Sequence, residues 1–165
     1  MSKTLENLKE GFAGESQANR RYLAFAEKAD AEGYPQVARL FRAAAAAETV
    51  HAHNHLRAMD GIRSTRENLE VAIQGENYEN TSMYPAFIKD AEAEGDKKAL
   101  RSFEWARVVE IEHENLYKEA LQSLGKEEEA YDYYICPVCG HTHPRVAPDK
   151  CPVCGAPKDR FIRVS

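Results

Sequence analysis

The sequence predicts a mainly α fold: a four-helix bundle followed by a small four-cysteine metal domain. Three observations lead there. Four long stretches carry apolar residues at helical spacing and are separated by short breaks centred on glycine. Two of these stretches contain Glu-x-x-His, each preceded by another glutamate at nearly the same distance. All four cysteines fall in the last thirty residues, as two Cys-x-x-Cys pairs.

The totals agree. A chain of 165 residues suits one ordinary domain, or one with a small appendage. A composition of 43% hydrophobic and 30% charged residues is that of a globular rather than a disordered protein. A net charge of −5 and the lack of any basic stripe argue against nucleic acid as a partner. No apolar run approaches the ~18 residues a membrane span requires. Met1-Ser2-Lys3-Thr4-Leu5-Glu6 has no signal-peptide core, and no cysteine is left over for a disulfide framework, so a reducing cytoplasmic location is expected.

The first helix is expected over 4–31, with Leu5, Leu8, Phe12, Tyr22, Ala26 and Ala29 on one stripe. Glu15 interrupts that stripe where a hydrophobe belongs. Gly33 stops the helix, and Pro35 suits the first turn of the next. The second helix, 35–59, contains the run Ala43–Ala47, strong in helix propensity and small enough for close approach of a neighbour. Val37, Phe41, Ala44, Glu48, His51, His55 and Met59 form its expected inner stripe. Asp60-Gly61 ends it. Ser64 or Thr65 caps a third helix over 66–94, with Leu69, Ala72, Glu76, Glu79, Met83 and Phe87 inward and a kink expected at Pro85. After Glu94-Gly95-Asp96 the fourth helix, 97–124, turns Phe103, Ala106, Glu110, His113, Tyr117, Leu121 and Leu124 inward. Residues 125–132 read as a charged linker. The expected domains are therefore 1–132, bundle with linker, and 133–165.

The helical part contains an internal repeat. Glu15 precedes Glu48 by 33 positions and Glu76 precedes Glu110 by 34, with Gly14-Glu15 echoed by Gly75-Glu76. Glu15 lies 18 residues before Gly33 and His51 lies 18 after it. Glu76 lies 19 before Gly95 and His113 lies 18 after it. With a common rise per residue, antiparallel partners bring these groups to one height. The expected cluster is Glu15, Glu48, His51, Glu76, Glu79, Glu110 and His113. Five glutamates in one core cost several kcal/mol each when unpaired. Two divalent metals would neutralise them, and carboxylate with imidazole in a helical bundle suits iron or manganese.

Neighbouring groups are weighed separately. His53 points off the stripe and is expected in solvent, whereas His55 is either a core histidine or a support for His51. Glu112 and Glu114 are read as solvated or supporting, not ligating. Tyr22 and Tyr117 either orient ligands through their hydroxyls or simply pack. In the cysteine domain, Cys136-Pro137-Val138-Cys139-Gly140 and Cys151-Pro152-Val153-Cys154-Gly155 leave eleven residues between the pairs. Cys136, Cys139, Cys151 and Cys154 make a tetrahedral site for zinc or a single iron, between which spacing does not choose. Tyr133, Tyr134 and Phe161 are expected to form a small aromatic core. His141 and His143 are not expected to be ligands, because four cysteines suffice.

These motifs carry a resemblance. Gly14-Glu15-Ser16, Glu48-Thr49-Val50-His51-Ala52, Gly75-Glu76-Asn77-Tyr78-Glu79 and Glu110-Ile111-Glu112-His113 resemble the di-iron helices of the rubrerythrin family. Tyr133-Tyr134-Ile135-Cys136-Pro137-Val138-Cys139-Gly140 and the second knuckle resemble rubredoxin. The resemblance spans essentially the whole chain. It implies a ferritin-like bundle with two iron ions and a rubredoxin-like domain with one, zinc being the other possible occupant of the latter. It implies a peroxidase that reduces hydrogen peroxide to water in oxidative-stress defence, with rubredoxin or a reductase as external electron donor. Glu79 is a carboxylate that simple ferritins lack, and the family pattern implies that it exchanges with His51 on oxidation. On that pattern Glu48 and Glu110 bridge the metals, Glu15, His51 and Glu79 serve one iron, and Glu76 and His113 serve the other. A ferroxidase or oxygen reductase at the same site is the competing enzyme, and a structural bundle with a zinc knuckle is the competing non-enzyme.

Ferritin-like bundles run up-down-down-up, so the second and third helices must be parallel. Their connection would have to cover roughly 35–40 Å. The six residues from Asp60 to Thr65 reach only roughly 20 Å when extended. The expectation is a homodimer domain-swapped between helices two and three, with an up-down-up-down bundle within one chain as the alternative.

Overall fold

The computed structural model describes residues 2–126 and 129–165. The chain divides into two compact units, Met1–Arg63 and Ser64–Ser165.

The first unit is a helical hairpin of α1 (Lys3–Ala31) and α2 (Pro35–Ala58). Ser2 caps α1 by accepting from the Leu5 N–H at 3.3 Å. Gly33 takes a left-handed φ of 81°, and Pro35 opens α2 where its missing N–H costs nothing. The seam between the helices is built from the smallest side chains. Ala38, Ala45 and Ala52 recur every seven residues on α2 and are all buried. They face a thin core in which Ala26 and Ala29 of α1 meet Ala38, with Phe41 packed against them. Methyl groups at the seam allow a close approach. The buried Asn19 amide of α1 reaches across to the Ala45 carbonyl at 2.6 Å and to the Thr49 hydroxyl at 2.8 Å. The stripe expected to face inward on α2 is thus displaced by one residue. Val37 is 45% exposed, and Glu48 and His51 flank the seam instead of filling it.

The second unit begins with α3 (Thr65–Tyr78). Of the two candidate caps the structure uses Ser64, in a reciprocal box with Glu67. The helix expected to run continuously over 66–94 does not. It passes into a π-helical turn, Glu79–Met83, and resumes as α4 (Tyr84–Glu94). Pro85 supplies the reason. It has no N–H to give a regular helix and its ring would strike the carbonyl four residues back. The ladder widens instead, and the Tyr84 N–H bonds to the Glu79 carbonyl five residues earlier. Pro85 then lies in the first turn of α4, where no donor is needed. The kink expected at Pro85 therefore takes the form of one extra residue in the helix. That residue accounts for the spacing of 19 between Glu76 and Gly95 against 18 between Glu15 and Gly33.

Helix α5 (Lys97–Ser123) is capped by Asp96, which accepts from Lys98 and Ala99 N–H at 2.9 and 3.0 Å. The repeat seen in the sequence is also a repeat of packing. Tyr22, Phe25 and Phe41 form a ring cluster with centroid separations of 6.4, 6.1 and 5.6 Å. Tyr84, Phe87 and Phe103 form its counterpart at 6.1, 6.3 and 5.4 Å.

The C-terminal part of this unit is a three-stranded antiparallel sheet ordered β2-β1-β3, with β1 at Tyr133–Ile135, β2 at Thr142–Pro144 and β3 at Ile162–Val164. The expected linker 125–132 includes Glu127 and Glu128, which lie outside the described residues. The aromatic core is arranged differently from the expectation. Phe161 meets the ring of His141 edge-on at 6.4 Å, while Tyr133 pairs with Tyr131 at 5.3 Å.

An alanine seam tolerates little added volume. Ala38→Leu is expected to destabilise the hairpin by about 1–3 kcal/mol through overpacking. The check is a urea midpoint, and an unchanged midpoint would rule out the seam.

Candidate metal centres

Six of the expected ligands are gathered as two trios, one in each unit. Glu15 comes from α1, and Glu48 and His51 lie one turn apart on α2. The ligand atoms of this trio all lie within 4.8 Å of one another. His51 Nδ1 is 2.8 Å from the Glu48 carboxylate and 3.9 Å from that of Glu15. The second unit repeats this geometry with Glu76 of α3 and Glu110 and His113 of α5. His113 Nδ1 is 2.8 Å from Glu110 and 3.8 Å from Glu76. Glu79, the seventh residue, opens the π turn. It lies close enough to Glu110 and His113 to feel their charge, but outside the tight trio.

Neither trio is sealed from water within the chain. The His51 side chain is 54% exposed and that of His113 is 26% exposed. Even so, the second trio is electrostatically strained. Burial, reinforced by the Glu110 charge, pushes the Glu76 carboxyl up to about 7. Burial and Glu110 raise Glu79 in the same way. The hydrogen bond to Glu110 raises His113. Burial first, and the nearby carboxylates second, raise the phenols of Tyr84 and Tyr117. Crowded carboxylates beside an imidazole form a donor set that fits borderline divalent cations such as iron or manganese. Bound cations would lower every one of these values again.

The tautomer of His113 is fixed from behind. Its Nε2 lies 2.8 Å from the Thr142 hydroxyl of β2, and that hydroxyl donates to the Gly140 carbonyl at 3.2 Å. With the Thr142 proton given to Gly140, His113 Nε2–H donates to the hydroxyl, while Nδ1 shares a proton with the Glu110 carboxylate in the metal-free chain. A cation that displaces that proton finds the Nδ1 lone pair already aimed among the carboxylates. Glu114 is buried at 6% exposure, and so is not solvated. It accepts from Lys118 at 2.6 Å and from Asn77 at 3.1 Å, and the Lys118 bond holds its carboxyl below the usual range. It supports the site by tying α5 to the residue after Glu76.

The remaining neighbours resolve as follows. His53 is exposed. His55 packs on Gly11, where an added Cβ would come within 3.1 Å of its ring, so it is the packing histidine of the two readings. Tyr22 belongs to an aromatic cluster, whereas Tyr117 lies within the field of Glu76 and Glu110. Sequence reasoning missed Thr142, Asn77 and Tyr84. Only Tyr84 left a signal, as the repeat partner of Tyr22 shifted by one position.

In the cysteine site, Cys136 and Cys154 sulfurs are 3.5 Å apart, as are those of Cys139 and Cys151. Four thiolates at ~2.3 Å from a metal have edges of about 3.8 Å, so a tetrahedral ion fits with little adjustment. All four cysteines are free of disulfides. Burial opposes ionisation of Cys136, but the Val138 and Cys139 amides bring its thiol below the ordinary value. Burial pushes Cys139 and Cys154 up. A central cation would draw all four to thiolate.

These shifts set a pH dependence. Glu76 in the metal-free chain ionises at about 7 instead of 4.5, so its contribution to stability is present below pH 4.5 and lost as pH rises through about 7. Glu79 and His113 are also raised and act in the same sense. Metal-free protein is expected to lose stability across that window, and metal loading at pH 6 to release protons. Urea midpoints against pH, together with a pH-stat titration, provide the check. A stability that climbs steadily from pH 4.5 to 7 is the contrary result.

Comparison with known proteins bears on this geometry. The family described as Rubrerythrin matches residues 6–121, and that described as Rubrerythrin, rubredoxin-like domain matches residues 134–162. The chain is 38% identical to nigerythrin of Nitratidesulfovibrio vulgaris, over 96% of this chain and 85% of that protein. It is 36% identical to rubrerythrin-2 of Clostridium acetobutylicum, over 96% of this chain and 95% of that protein. It is also 38% identical to rubrerythrin of Porphyromonas gingivalis, over 97% and 89%. The structure of fully reduced, all-ferrous nigerythrin matches with a TM-score of 0.60 at 36% identity, covering 99% of this chain and 88% of that one. Among the described residues, no helix is long and apolar enough to cross a membrane. The chain belongs to the rubrerythrin family, with a ferritin-like di-iron domain followed by a rubredoxin-like domain whose four cysteines form an iron site.

Proposed function

We propose that the chain is a peroxidase that reduces hydrogen peroxide to water in defence against oxidative stress. Residues 1–132 serve as the di-iron domain with its linker, and 133–165 as the electron-carrying domain. The balance is one peroxide, two electrons and two protons giving two waters. When bound, the iron pair supplies the two electrons and the positive charge that favours breaking the O–O bond.

One observation carries the reading: the hydrogen-bonded path from His113 Nε2 through the Thr142 hydroxyl to the carbonyl of Gly140, the residue after Cys139. An iron-storing ferroxidase has no need of a thiolate carrier joined to a metal ligand. A peroxidase must be re-reduced after each turnover, one electron at a time. The external donor is a rubredoxin or a reductase, acting in the cytoplasm where the thiols stay reduced.

The chain's own residues hold and orient. Glu15, Glu48, His51, Glu76, Glu79, Glu110 and His113 are the metal ligands, with Glu79 exchanging for His51 on oxidation. Cys136, Cys139, Cys151 and Cys154 hold the single iron. We take the working form to be a homodimer, domain-swapped through the short Asp60–Thr65 connection, in which a trio from one chain completes the other trio of its partner.

Three outcomes check this. Anaerobically reduced protein is expected to be oxidised faster by peroxide than by dioxygen in stopped-flow mixing, and the reverse order would indicate a ferroxidase or oxygen reductase. Thr142→Val is expected to slow re-reduction of the iron pair several-fold, and by more than it slows oxidation by peroxide; an unaltered re-reduction rate would disconnect the path. Dilution is expected to abolish activity as the dimer separates, so a fully active monomer excludes the swap.

A further inference from the structure

A fourth group of ligand-type side chains takes no part in the reaction above. Glu112 of α5, His141 just beyond the first knuckle and His143 of β2 bring their ligand atoms within 4.8 Å of one another. His141 is among the most buried side chains described, at 2% exposure. Neither of its ring nitrogens makes a directed hydrogen bond. Yet its Nδ1 lies at ion-pair distance from the Glu112 carboxylate. Closeness without alignment is informative. In a simple ion pair the N–H points at the oxygen. Here the groups approach without a directed hydrogen bond, and a modest outward turn of the Glu112 carboxylate would open the spacing of two ligands on one cation.

The second imidazole argues the same way. His143 brings its nitrogen to the same place, with the two rings 5.7 Å apart and tilted by 42°, so they do not stack. Both histidines are held rigidly. The His141 carbonyl accepts from the Cys136 N–H at 2.9 Å, Phe161 abuts its ring edge-on, and His143 is paired with Tyr134 in the sheet. Glu112 stands on a long helix and is only 31% exposed. Two imidazoles and a carboxylate suit zinc or ferrous iron, with water completing the shell on the partly open side.

We propose that Glu112, His141 and His143 form an additional site for one divalent cation of the zinc or ferrous class. The ion fastens the thiolate domain onto α5, one residue from the ligand His113. The site is distinct from both iron centres and does not depend on which oxidant the enzyme uses.

The test uses the iron-replete full-length protein and zinc ions as the probe. Calorimetric titration is expected to show one zinc bound per chain with no iron released, iron being measured in the dialysate. X-ray absorption at the zinc edge is expected to show nitrogen and oxygen neighbours near 2.0–2.1 Å and no sulfur at about 2.3 Å. Glu112→Gln and His143→Gln, both at partly exposed positions, are each expected to weaken zinc binding at least tenfold while the ferric thiolate colour persists. Either variant suffices if the other fails to fold. The proposal is overturned if zinc does not bind, if it binds only as iron leaves, if sulfur appears in its shell, or if a folded variant binds zinc as tightly as the parent.

Discussion

The crowding of carboxylates around His113 is the constraint on which the rest depends. Two unit charges 4 Å apart at a protein surface repel by about 4 kcal/mol, and Glu76, Glu79 and Glu110 share a partly buried space. Long helices give these side chains little freedom to turn away, and Glu114 with Asn77 fixes the spacing of α3 and α5. The metal-free unit therefore holds protons it would otherwise lose. The same strain becomes affinity once a cation arrives. An acidic group that tolerates its neighbours only in the presence of metal makes the metal part of the fold's energetics as well as its chemistry.

Against this background the near-symmetry of the two trios is informative where it fails. The trios agree within 0.1 Å in their carboxylate–imidazole distances, and the aromatic clusters beside them repeat ring for ring. The departure is confined to one place. Ala18 occupies the position in α1 that Glu79 occupies after α3, and the π turn begins at Glu79. A π turn gives up regular hydrogen bonding and survives where it serves a function. Here it accommodates Pro85 and lets one hairpin carry a carboxylate the other lacks. Two otherwise equivalent ligand trios thereby become unequal.

What could be read in the sequence was what is local. Glu-x-x-His needs only the helical repeat, each knuckle needs a few residues, and the caps at Ser64 and Asp96 follow from side-chain length. Val37 was expected inward because hydrophobicity favours it, while the seam is chosen by smallness and falls on Ala38, Ala45 and Ala52, with Phe41 packed beside it. The π turn was visible as a count of 19 instead of 18, but a count does not say what form the extra residue takes. Thr142 meeting His113, and Asn77 meeting Glu114, join residues 29 and 37 positions apart and leave no periodic trace. His141 was set aside because four cysteines satisfy one metal, an argument that says nothing about what a buried histidine does on its other side.

The position of Thr142 links two features that lie far apart in the sequence. A hydroxyl has one proton, and Thr142 gives it to Gly140 within its own domain. It can then only accept from His113 Nε2–H, which leaves Nδ1 as the atom that meets Glu110 and Glu76 and that a cation would claim. Moving the thiolate domain away from α5 would release the Nε2 end of the ring. Docking of the electron carrier and readiness of the ligand are thus one condition. The hairpin carrying His51 has no such domain in its unit, so the contact with the thiolate domain sets the trio at His113 apart from the other.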